Sequence, residues 1–125
     1  MANDKTAKAQ AMIKAIFDDN EAEINGRKYR YLKMAHKQRR KVFAFYSKVS
    51  NRIQASDLSF LDTPEFETIE EVMLSVIMYD DSLLSVLGDA HWEKYQSDYV
   101  TFITMSLAVI SYPFFPESPT DSAST

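Results

Sequence analysis

Glycine occurs at only two places in this chain, Gly26 and Gly88, and that scarcity restricts the fold more than any other feature. A β-sandwich or barrel needs a turn about every 8–12 residues, many of them with the positive φ that glycine adopts without strain. Most of the chain must therefore run in helices, and the apolar spacing agrees. Asp4 to Phe17 reads as a first helix, capped by Asp4, with Met12, Ile13, Ile16 and Phe17 as its stripe. Asn25-Gly26 is the strongest short hairpin signal, and Tyr29 and Tyr31 alternate with basic residues beyond it. A small hairpin is expected over residues 21–33.

From Ala35 to Ile53 the period becomes helical again. Val42, Phe45, Tyr46, Val49 and Ile53 share one face, and Lys37, Arg40, Lys41, Lys48 and Arg52 lie opposite. After a connection at 54–62, Thr63-Pro64-Glu65 starts a helix with Pro at its first position and acids in its first turn. Phe66, Ile69, Met73, Val76 and Ile77 carry that helix to about Tyr79, with Asp80-Asp81-Ser82 as a break and Leu83–Leu87 as a short apolar turn. A last helix is expected over 89–111, striped by Trp92, Tyr95, Tyr99, Phe102, Ile103, Leu107 and Ile110 and stopped by Pro113. The expected fold is mainly α: a single small domain over residues 1–116, of about four helices with one hairpin after the first. Residues 117–125 read as a disordered polar tail. At 125 residues such a domain buries roughly two-thirds of its unfolded surface.

Charge divides the chain. The stretch GRKYRYLKMAHKQRRK, residues 26–41, has eight Lys and Arg and no acid. Residues 27–52 hold ten of the fourteen basic residues, whereas 57–125 hold thirteen of the eighteen acids and one base, Lys94. A folded domain with this division carries an electrostatic dipole. Basic residues interleaved with Tyr29, Tyr31 and Phe43 could serve a nucleic acid through phosphate contacts and stacking. An overall pI near 5.1 opposes that use. An acidic protein partner, including the acidic half of a second copy, fits better, and a plain solvated helix face would show the same pattern.

The residues that carry chemistry do not converge. His36 and His91 are the only histidines and stand far apart, so they read as surface or partly packed side chains. Asp18-Asp19, Glu70-Glu71 and Asp80-Asp81 are adjacent pairs that point apart on a helix, and Glu67, Glu70 and Glu71 read as a solvated face. Phosphate loops, nucleophile elbows and zinc spacings are missing, and there is no cysteine. No enzyme, cofactor or metal is expected. Tyr99–Phe115 is too interrupted by polar residues and Pro113 for a membrane span, and the N-terminus lacks the apolar run of a secretory leader. A cytosolic protein is expected.

The run YDDSLLSVLGDAHWEKYQSDYVTFITMSLAVISYPFF, with the INGRKYRYLKM hairpin before it, resembles the tail assembly chaperones of long-tailed bacteriophages. The likeness covers roughly residues 20–116: a basic-aromatic hairpin after an NG turn, a helical middle and a YxxDYVxF…ISYPF-like end. It implies a mainly helical protein that binds the tape measure protein and keeps it soluble while the tail tube assembles. It further implies homo-oligomeric rings or spirals, action in the host cell cytoplasm, and absence from the mature virion. A longer form, made by −1 ribosomal frameshifting near the end of the reading frame, is implied to engage the tail tube protein. Pro113-Phe114-Phe115 is the candidate slip position, since the codons CCU UUU UUC would contain the heptamer U UUU UUC. On this reading Arg27, Lys28, Arg30, Lys37, Arg39, Arg40 and Lys41 are candidates for partner or self-association contacts. Met73, Met78 and Met105 are candidates for an adaptable apolar grip, although methionines at helical spacing are more often core. The alternative is a small nucleic-acid-binding regulator using residues 27–41.

Overall fold

The computed structural model describes residues 2–115, with side chains from residue 8 onward; the polar tail expected at 117–125 and the Asp4 side chain lie outside the described residues. Helix α1 spans Ala2–Asp19, so Asp4 lies inside it rather than capping it. Asn20, at φ 59°, turns the chain into a hairpin of β1 (Glu21–Ile24) and β2 (Arg27–Tyr31). Asn25 and Gly26 both have positive φ, 51° and 82°, as a two-residue hairpin turn requires. Register places Ala22 opposite Tyr29 and Ile24 opposite Arg27; Ala22, Ile24, Tyr29 and Tyr31 are buried on the inner face. On the outer face Glu21 faces Arg30 and Glu23 faces Lys28, the opposite-charge pairing that favours an antiparallel ladder.

Helix α2 (His36–Gln54) buries Val42, Phe45 and Val49. A single 3₁₀ turn, Ser59–Asp62, then leads into α3 (Pro64–Leu74). Thr63 caps α3 as expected: the Phe66 N–H donates to its Oγ1 at 3.2 Å, while its own hydroxyl donates to the Phe60 carbonyl at 2.7 Å. Phe45, Phe60 and Phe66 meet at ring-centroid distances of 5.7–5.9 Å beneath that cap.

Two expectations fail beyond α3. The helix does not continue to Tyr79; it ends at Leu74, and Ile77–Tyr79 is a strand, β3, paired with β2. Asp80 and Asp81 take positive φ, 50° and 68°, and form a second hairpin turn into β4 (Ser82–Leu83). The sheet is thus four antiparallel strands in the order β1-β2-β3-β4. The apolar run Val76-Ile77-Met78-Tyr79 suits a strand as well as a helix, and the exposed edge of β2 decides between them. Short helix α4 (Leu84–Leu87) stops at Gly88, which has φ 64°.

The long final helix is also interrupted. It comprises α5 (Asp89–Lys94), a break at Tyr95 (φ −124°, ψ 53°), a 3₁₀ turn at Gln96–Asp98, and α6 (Tyr99–Ser111). Helix α6 is the centre of the fold. Phe102, Ile103, Ser106, Leu107, Ala108, Val109, Ile110 and Ser111 are all buried, because α6 packs against both α1 and α2. A helix enclosed this way is apolar around most of its circumference. A further 3₁₀ turn, Tyr112–Phe114, follows at Pro113. Among the described residues no helix is long and apolar enough to cross a membrane.

Candidate functional site

Asp98 explains the break. It has no exposed surface, and four hydrogen bonds converge on its carboxylate. Asn25 Nδ2 donates to Oδ1 at 2.7 Å; Arg27 Nε donates to Oδ2 at 2.6 Å and Arg27 Nη2 to Oδ1 at 2.8 Å. The Tyr29 hydroxyl donates to Oδ2 at 2.8 Å. That hydroxyl also lies 2.8 Å from His91 Nε2. Its one proton goes to the carboxylate, so His91 must carry its proton on Nε2 and donate to the tyrosine oxygen. The hydrogen bonds from Arg27, with lesser help from Asn25 and Tyr29, hold the Asp98 carboxyl well below the usual carboxylate range despite its burial. The Arg27 guanidinium also lies 4.1 Å from the centroid of the Tyr95 ring. A shell of aromatic rings from Tyr79, Trp92, Tyr95 and Phe102 closes around Tyr29 and His91.

This network ties the hairpin turn and β2 to α5 and the start of α6. Its acceptors are filled from within, which suits a structural lock: a general acid or base needs a proton it can exchange with a substrate.

The lock should respond to acid through His91. Burial lowers the His91 pKa below its ordinary value near 6.5. Asp98 opposes that shift, whereas Arg27 and Lys94 add to it. Because the folded chain disfavours the imidazolium, its contribution to stability is full above the unfolded pKa and is lost as pH falls through it. Urea unfolding free energy is expected to decline between about pH 7 and pH 5, and His91→Gln should flatten that decline. An unchanged slope in the variant would assign the decline to other groups.

Beside the lock is an open cleft of about 440 Å³ lined by Glu70, Asp89, Trp92, Glu93, Gln96 and Tyr99. The Tyr99 hydroxyl donates a short hydrogen bond to Glu70. Burial, reinforced by Asp89, Glu67 and Glu71, raises the Glu70 pKa although Tyr99 opposes it. Glu70 is therefore half-buried rather than part of a fully solvated acidic face. Three of the cleft's six lining residues are acidic: Glu70, Asp89 and Glu93.

The basic residues divide into two groups. Arg27 is committed to Asp98. Arg39, a candidate for partner or self-association contacts, is half-buried; its Nη1 donates to the Ile110 carbonyl at 2.8 Å, and its guanidinium lies 5.7 Å from the Phe17 ring centroid. Lys28 and Arg30 are exposed on the outer face of the sheet opposite Glu23 and Glu21. Lys37, Arg40 and Lys41 are exposed on α2. Among the described residues the ion pairs are Lys14–Asp18, Arg27–Asp98 and Lys48–Glu65, so none involves those three.

The methionines separate as well. Met73 is completely buried and belongs to the core, so it offers no surface to a client. Met78 is half-buried on β3, not helical, with Arg30 Nη2 3.3 Å from its Sδ. Met105 is half-buried on α6. Pro113 is exposed, while Phe114 and Phe115 are half-buried against α2. Sequence reasoning missed Asn25, Tyr29, His91 and Asp98 as a unit. The available signal was position: Asp98 falls three residues after Tyr95 and four before Phe102, an acid on an otherwise apolar face. Comparison with family models, curated proteins and solved structures finds no match to this chain.

Proposed function

We propose that this chain is a phage tail assembly chaperone, a non-catalytic protein that binds the tape measure protein and keeps it soluble while the tail tube forms. The observation that carries the reading, beside the likeness over residues 20–116, is the outer surface of α2. There Lys37, Arg40 and Lys41 are exposed, with half-buried Phe43 three residues beyond Arg40 at the border of that face, above a core that is already closed. A long amphipathic client requires such a surface: ring area for its apolar positions and cations for its acidic ones. Met105 and Met78 supply further adaptable area, and Met73 is withdrawn from the set. The buried ionisable groups satisfy one another, in keeping with a binding protein rather than an enzyme.

Self-association is part of the proposal. The cationic face of α2 on one copy complements the Glu70–Asp89–Glu93 cleft of the next, a head-to-tail contact that repeats into rings or spirals. The protein acts in the host cytoplasm and leaves before the virion is complete. A frameshifted longer form, with its slip at Pro113-Phe114-Phe115, reaches the tail tube protein.

The nucleic-acid reading of residues 27–41 has fewer cations to use, since Arg27 and Arg39 are engaged within the chain. Salt distinguishes the two. Phosphate binding falls log-linearly and steeply with salt, whereas a largely apolar grip on a tape measure fragment should weaken only gently. Tight duplex DNA binding at low salt, abolished by reversing Lys37, Arg40 and Lys41, would favour the regulator.

A further inference from the structure

The last described residues form an aromatic layer at the margin of the core. Tyr112 meets Phe17 of α1 at a centroid distance of 5.1 Å. Phe114 stacks on Phe43 at 5.1 Å and reaches His36 at 5.6 Å, and Phe115 meets Tyr46 at 6.0 Å. Tyr112, Phe114, Phe115, Phe17, Phe43 and Tyr46 are all only half-buried, whereas the core rings of Phe45, Phe60, Phe66 and Phe102 are closed off from solvent. The layer therefore lies over the outside of a finished core.

Its attachment to α1 and α2 is of one kind. Arg39 clamps the Ile110 carbonyl and so fixes the end of α6. Beyond that clamp, the Tyr112 N–H donates to the Val109 carbonyl at the end of α6, and the Phe115 N–H donates to the Tyr112 carbonyl at 3.0 Å. Among the described residues no hydrogen bond or ion pair joins Tyr112–Phe115 to α1 or α2; its contacts with those two helices are between rings. At its root, the fully buried Ser111 hydroxyl has no hydrogen-bond partner among the described residues, an uncompensated polar burial in this arrangement. Half-exposed rings without directional bonds give a contact that a better-placed set of rings can replace.

The surface beneath has a definite charge. Helix α2 contains no acidic residue from His36 to Gln54. Arg40 falls four residues after His36 and three before Phe43, in the same stripe as the rings that hold Phe114. Lys37 and Lys41 lie along one side of that stripe, both exposed. The strap itself, Tyr-Pro-Phe-Phe, brings no acid to them.

We infer that Tyr112–Phe115 is a displaceable strap over an aromatic groove on α2, and that the groove's intended occupant is an acidic amphipathic helix of a partner protein bearing paired aromatic side chains. The strap supplies the rings and leaves the cations without acidic partners among the described residues; such a helix supplies both. The strap thus acts as a tethered competitor that keeps Phe43 and Tyr46 covered until the partner arrives. The inference goes beyond the chaperone reading, because it does not require the partner to be a tape measure protein.

The test uses the full chain and a fluorescently labelled synthetic helical peptide of about five turns, with two Phe spaced i, i+4 and Glu on both flanks of that stripe. Loosening the strap with Phe114→Ala and Phe115→Ala together should tighten peptide binding about tenfold, the gain expected if the open groove is populated about one part in ten. Helical circular dichroism should be unchanged, and a peptide with Lys in place of Glu should not bind. Equal or weaker binding by the variant, or indifference to the Glu-to-Lys change, would overturn the inference. Should the double variant lose its helical signal, Pro113→Gly keeps both rings and frees only the backbone. It should tighten binding in the same direction by a smaller factor, and no gain there would overturn the inference equally.

Discussion

Replacing Asp98 with alanine should lower the unfolding free energy by about 3 kcal/mol, the lower end of what is lost when one partner of a buried ion pair is removed. The lower end applies because Arg27 keeps some access to water, its side chain being 23% exposed. Asn25 and Tyr29 lose an acceptor as well, and Tyr29 is wholly buried. Asp98→Asn keeps the shape but removes the charge that Arg27 requires, and should fall between the parent and the alanine variant. Because the folded chain depresses the Asp98 pKa, the stabilisation is present above the ordinary carboxylate range near pH 4 and is lost as pH falls below it. The acid limb of the stability curve should therefore shrink in both variants. Urea denaturation checks each statement. A change within about 0.5 kcal/mol, typical of an ordinary surface site, would mean that the network does not lock the sheet to α5 and α6.

Met73→Ala should cost about 2–5 kcal/mol, as large-to-small changes do in a packed core. Met73 lies within the cluster formed by Val42, Phe45, Phe66, Ile69 and Ile77, among others, and has no exposed surface. Met105→Ala, at a half-buried position, should cost distinctly less. Comparison of the two midpoints separates a core methionine from one that can contribute to a surface. Equal small losses would put Met73 back among the client-binding candidates.

These residues also show where the sequence was readable. The hairpin was legible because Asn25-Gly26 is a local device that needs no tertiary partner to be recognised. Thr63-Pro64 was legible for the same reason, and so was the apolar face of α2. The second hairpin was not, because Asp80-Asp81 resembles a helix break as much as a turn. Only pairing of Tyr79 and Ile77 with β2 makes Ile77–Tyr79 a strand. The interruption at Tyr95 was hidden by a helical period that runs through it from Trp92 to Ile110. It exists because Asp98 has to reach Arg27, some seventy residues earlier in the chain. The basic stretch read as one surface, yet Arg27 and Arg39 are turned to a carboxylate and a carbonyl inside the same molecule. Lys28, Arg30 and Lys33 remain exposed outside α2, and on α2 itself what remains of that stretch is the smaller set Lys37, Arg40 and Lys41; no local pattern distinguishes it from the rest.

That smaller set offers the most direct test of the proposed function. The tape measure protein from the same genome, expressed with this chain, should shift from the pellet to the soluble fraction and co-purify with it. Reversing Lys37, Arg40 and Lys41 to Glu should abolish that rescue while leaving helical circular dichroism unchanged, because none of the three side chains is in the core. If the soluble fraction of the client is the same with the parent chain, with the reversed variant and with neither, both proteins being well expressed, the chaperone account is contradicted.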